Sequence, residues 1–95
     1  MDYFVQCGTT AILNRDLPRL ADELRGELLD TGYVRNPSVS SNLLTRRITL
    51  TARVEAVTPQ TAITVAETAL LSHLHGHGPE YRMVSIQHAD AHAAG

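Results

Sequence analysis

Residues 47–56 read Arg-Ile-Thr-Leu-Thr-Ala-Arg-Val-Glu-Ala, an unbroken alternation of apolar and polar side chains. Successive side chains of a strand point to opposite faces. Ile48, Leu50, Ala52, Val54 and Ala56 therefore share one side, and Arg47, Thr49, Thr51, Arg53 and Glu55 share the other. A helix cannot gather this pattern into one apolar face. The chain must contain a sheet with one wet side, and something apolar must cover the other.

Two segments fit that cover. Asn14 or Asp16 offers an N-cap, with Pro18 in the first turn, and Leu17, Leu20, Ala21, Leu24 and Leu28 follow at helical spacing. Gly32 is the expected left-handed cap. Thr58-Pro59 opens a second helix with a stripe of Ala62, Val65, Ala66, Ala69 and Leu70. Its small residues allow close approach to a sheet. Gly76 and Gly78-Pro79 are expected to stop it.

Three further strands complete the order. Asp2 to about Thr10 alternates, with Tyr3, Val5 and Cys7 opposed to Phe4 and Gln6. A short strand is expected within 37–44, and another over Tyr81–His88, leaving 90–95 as a frayed tail. Strand, helix, strand, strand, helix, strand is a βαββαβ arrangement. It predicts an α+β, ferredoxin-like sandwich: a four-stranded antiparallel sheet with two helices on one face, spanning residues 1–89 as one domain. The fold alternative is a three-stranded domain in which 33–45 is only a loop.

The stretch from Arg47 through Thr58-Pro59-Gln60-Thr61-Ala62 resembles many short actinobacterial proteins of unassigned function. They share a strand ending in Val-x-Ala, a Thr/Ser/Asp-Pro-x-x-Ala helix start and an Ala/Leu-rich helix. The helix end Leu74-His75-Gly76-His77-Gly78 and the upstream Asn36-Pro37-Ser38-Val39 are similar too. The resemblance covers half the chain, and its motifs are structural. It implies the same ferredoxin-like fold and carries over no functional residue.

Composition narrows the function classes. The 95 residues are 43% hydrophobic and 19% charged, which suits one globular domain. No run approaches the ~18 apolar residues of a membrane span. The start, Met1-Asp2-Tyr3-Phe4-Val5, lacks the features of a signal peptide, so the expected location is cytoplasmic. A single cysteine, Cys7, excludes an internal disulfide and a multi-cysteine metal site. Its phase with Val5 argues for packing rather than for a nucleophile. All eight cationic side chains are arginine, which suggests a GC-rich actinobacterial or phage genome.

Nucleic acid is an unexpected partner at a net charge of −2. Arg46, Arg47 and Arg53 could line a basic patch, but their strand lacks the stacking aromatics of RNA-binding sheets. The carboxylates of the first helix, Glu23 and Glu27 among them, read as a solvated face. No phosphate loop or hydrolase motif is present, so no catalytic residue and no cofactor are assigned.

Five histidines raise metal binding: His73, His75, His77, His88 and His92. Of these, His73, His75 and His77 are the candidate ligands. An expected helix end at Gly76 argues against regular ligation by His73 and His77. His88 and His92 would lie about 25 Å away, at the far end of a strand rising about 3.3 Å per residue.

The uncovered sheet face is the other candidate. It is expected to show Phe4, Gln6, Thr49, Thr51, Tyr81, Met83 and Ser85, a set poorly suited to water. These residues, or an edge strand, predict a homo-oligomer. The leading function class is therefore a non-enzymatic oligomeric interaction module or assembly subunit. A ligand- or metal-sensing domain using the histidine-rich helix end is the alternative. A small enzyme with a site at a dimer interface, recruiting His88 or Tyr81, is the third.

Overall fold

A computed structural model describes residues 1–13 and 16–94. Four strands and two helices follow the expected order: β1 (Asp2–Thr9), α1 (Leu17–Thr31), β2 (Arg35–Asn42), β3 (Arg47–Glu55), α2 (Pro59–Gly76) and β4 (Ile86–Ala93). The sheet order is β2-β3-β1-β4, with every neighbouring pair antiparallel. This is the ferredoxin-like βαββαβ topology. No helix among the described residues is long and apolar enough to cross a membrane.

The helix starts form as their capping chemistry dictates. Asp16 accepts a hydrogen bond from the Arg19 amide at 3.3 Å, and Thr58 accepts from the Thr61 amide at 3.1 Å. The other candidate cap, Asn14, lies outside the described residues. Gly32 closes α1 in the left-handed region, at φ 74°.

One side of the sheet buries Tyr3, Val5 and Cys7 from β1 with Ile48, Leu50, Ala52 and Val54 from β3. Leu17, Leu20, Leu24 and Leu28 of α1 and Ala62, Ala66, Leu70 and Leu74 of α2 close over them. The alternation that defined β3 thus sets which face carries the core. A buried hydroxyl extends the sheet at its end: Thr9 Oγ1 accepts from the Ile48 amide at 3.1 Å.

The last strand differs from expectation. Instead of Tyr81–His88 it runs from Ile86 to Ala93, so 90–93 are paired strand rather than tail. Pro79–Tyr81 form a 3₁₀ turn, held by the Tyr81 amide on the Gly78 carbonyl at 3.2 Å. The Val84 amide then bonds the Tyr81 carbonyl at 3.0 Å. This turn drops both Tyr81 and Val84 into the core, where strand alternation would have put residues three apart on opposite sides. A bulge opposite Gly8 and Thr9 resets the phase, so Ile86, Ala89 and Ala91 face inward. Alanine is a poor strand former by itself. Here the exposed ladder of β1 supplies the partner that propensity does not.

The second helix ends at Gly76, as expected, but its cap continues the turn. His77 keeps right-handed helical geometry (φ −79°, ψ −13°), and its amide bonds the Leu74 carbonyl at 3.1 Å. Gly76 does not break the turn, and His73 and His77 share one helix face.

Candidate functional site

The structure divides the five histidines between the two sides of the sheet. His73 and His77 lie in the helical layer and turn toward α1. His73 Nδ1 is 3.2 Å from Glu27 Oε1, and His77 Nε2 is 2.6 Å from Glu27 Oε2. Glu23, one turn earlier, brings Oε2 to 3.6 Å from His77 Nδ1. The two carboxylates read as a plain solvated face in the sequence are thus partners of the two imidazoles. The signal was present as two i,i+4 pairs, Glu23/Glu27 and His73/His77, but their meeting depends on how the helices pack.

His75 points elsewhere, its Nε2 being 3.1 Å from the Val84 carbonyl oxygen. The three candidate ligands His73, His75 and His77 are therefore not brought to one point. Among the described residues no three or more His, Cys, Asp or Glu side chains are grouped to hold a metal ion.

A cleft of about 420 Å³ opens between the end of α1 and the outer side of α2. Its walls include Tyr33, Val65, Ala69 and His73, with the hydroxyls of Thr64, Thr68 and Ser72 along α2. The volume falls in the range of small-molecule pockets, which run from roughly 300 to 1,000 Å³.

The uncovered face of the sheet carries Phe4, Gln6, Thr49 and Thr51, as expected. Phe4 is 40% exposed and sits between two cationic or aromatic neighbours. The Arg53 guanidinium lies 5.2 Å from its ring centre, and the His92 ring is tilted against it at 5.8 Å. Arg53 also approaches Asp2, whose Oδ2 is 3.8 Å from Nε.

The remaining three interface candidates leave the face because β4 starts later. Tyr81 is buried in the core at 6% exposure. Met83 is almost fully exposed but precedes the strand. Ser85 lies just before β4, where its amide bonds Thr10 Oγ1 at 3.2 Å. Their places are taken by His88, Asp90 and His92, which pair with Gly8, Gln6 and Phe4 of β1. The His88 ring lies directly over Gly8, where an added Cβ would be 2.7 Å from Cε1.

One end of the sheet was not singled out in the sequence. The β1–α1 loop, the β2–β3 turn and the approach to β4 meet there. The Ile12 amide bonds the Arg46 carbonyl at 2.6 Å, and the Thr10 amide bonds the Ser85 carbonyl at 2.8 Å. These segments carry Leu13, Leu43, Leu44 and Met83, all exposed, three of them by 90% or more. In sequence they are scattered single apolar residues in loops, which ordinarily mean nothing.

The lone thiol is sealed off. Cys7 is fully buried, and burial, with the Glu67 carboxylate nearby, pushes its pKa up to about 12. A thiol held protonated in this way is a packing group, not a nucleophile.

Compared with models of known protein families and with curated proteins, the chain matches none.

Proposed function

We propose that this domain is a non-enzymatic interaction module that associates with copies of itself as a small assembly subunit. The observation that carries this reading is the apolar end of the sheet. Leu13, Leu43, Leu44 and Met83 project from three segments that are hydrogen-bonded to one another. Large exposed apolar groups gathered by a rigid sheet, rather than scattered, mark a surface that gains by being covered. The uncovered face with Phe4 between Arg53 and His92 adjoins the same sheet. The inert Cys7 favours a binding role over thiol chemistry.

Sedimentation analysis in metal-free buffer tests it. The wild type should run well above its 10.4 kDa chain mass. Leu13→Asp with Leu44→Asp should return it to a monomer without unfolding, since both side chains are exposed. Phe4→Arg reports separately on the open face. A wild-type monomer at all concentrations would overturn association through this end.

The second reading, a ligand-sensing domain, is favoured by the cleft beside α2, which brings His73 to a binding-sized space. His73 in turn touches Glu27, so an occupant there would act on the contact between the helices. Calorimetric titration with small amphipathic ligands, comparing wild type with Thr68→Trp to fill the cleft, tests it.

A further inference from the structure

The two edges of the sheet are built differently. The β2 edge is irregular: Pro37 cannot donate to a neighbour, Asn36 sits at φ 49°, and the pairing slips between Arg35 and Ser38. Such features blunt an edge against further pairing. The β4 edge has none of them beyond its first residues. From His88 to Ala93 it pairs with β1 without interruption.

The direction of its free hydrogen-bonding groups follows from one contact. The Ala94 amide donates to the Asp2 carbonyl at 2.9 Å, in register with the Phe4–His92, Gln6–Asp90 and Gly8–His88 pairs. Groups of the even-numbered residues therefore turn toward β1. Those of Ala89, Ala91 and Ala93 turn outward, to the open edge.

The strand sequence His88-Ala89-Asp90-Ala91-His92 reads the same in both directions. An antiparallel partner with the same sequence, centred on Asp90, would match it residue for residue. Ala89 of one copy would exchange backbone hydrogen bonds with Ala91 of the other. Asp90 would face Asp90, and His88 would face His92, as close pairs with Cα atoms about 4.5 Å apart. Two carboxylates placed so repel each other. Imidazoles on either side supply nitrogen donors, and mixed nitrogen and carboxylate sets suit zinc and neighbouring transition ions.

We propose that two copies join their β4 edges antiparallel about Asp90, and that the joint binds two divalent transition-metal ions. Each ion takes His88 and Asp90 from one copy and His92 from the other. One chain holds only part of each site, in keeping with the absence of a three-ligand group among its described residues. All three side chains are exposed, and His92 would turn from its place beside the Phe4 ring to reach an ion. The inference deepens the self-association reading while resting on different residues.

Native mass spectrometry of the untagged protein, with EDTA and then with zinc chloride, tests it. Zinc should pair the species seen in EDTA, adding two ions for each new joint. His88→Gln with His92→Gln, at exposed positions, should lose both the bound zinc and the zinc-dependent dimer. Ala91→Pro, which removes an outward amide, should show no rise in mass when zinc replaces EDTA. Zinc held by a monomer, no zinc-dependent dimer, or a dimer that both variants leave intact would each overturn the proposal. Association in EDTA that depends on Leu13 and Leu44 but ignores zinc would overturn it while leaving the module reading standing.

Discussion

His77 Nε2 lies 2.6 Å from Glu27 Oε2, joining the cap of α2 to the C-terminal half of α1. The other oxygen of the same carboxylate reaches His73 at 3.2 Å. One side chain on α1 thereby fixes two on α2. Glu27→Ala should cost about 1 kcal/mol in urea unfolding, because the group is partly exposed and water screens it. A double-mutant cycle with His77→Ala that shows no coupling would make the contact idle.

Thr9 should matter more than its size suggests. It is fully buried and its hydroxyl is the acceptor for the Ile48 amide. Thr9→Val keeps the shape and removes the acceptor, leaving a buried donor unsatisfied. The expected loss is about 1–3 kcal/mol, read as a lower midpoint in chemical denaturation. Thr9→Ser, which restores the oxygen, should recover part of it.

Cys7 makes stability fall at high pH. Its folded pKa is raised from 9.0 to about 12, so between those values the native state holds a proton that the unfolded chain has lost. Stability is fully present below pH 9 and declines as pH rises from there, by at most about 1.4 kcal/mol per pH unit from this group. Cys7→Ala should flatten that alkaline slope in denaturant melts. At neutral pH the native thiol should react with alkylating reagents only through unfolding.

Gly8 tests the position of His88. A Cβ there would meet the tip of an exposed ring at 2.7 Å, and the ring can swing away. Gly8→Ala should therefore lower stability by under about 1 kcal/mol. In a His88→Ala background the penalty should vanish in thermal melts. A penalty that persists would mean the backbone, not His88, needs the glycine.

The cap-and-stripe signals of both helices and the alternation of β3 were enough to place the layers. Local chemistry fixes them: Asp16 and Thr58 satisfy amides within three residues of themselves. β4 was legible only in part, because two nonlocal facts set it. Tyr81 and Val84 are drawn into the core by a turn, and alanines become a strand because β1 has an open ladder beside them. That displacement moved Tyr81 and Met83 off the candidate face and put His88, Asp90 and His92 on it.

The sequence by itself determined the element order, the inward and outward sides of β1 and β3, and the ends at which the helices begin. Those depend on periodicity and on contacts a few residues apart. Only the tertiary structure decided which side chains meet. Glu27 reaches residues 46 and 50 positions away, and Leu13, Leu44 and Met83 come to one end of the sheet from three separate segments. Such meetings are set by sheet order and helix packing, and these carry no local mark in the chain.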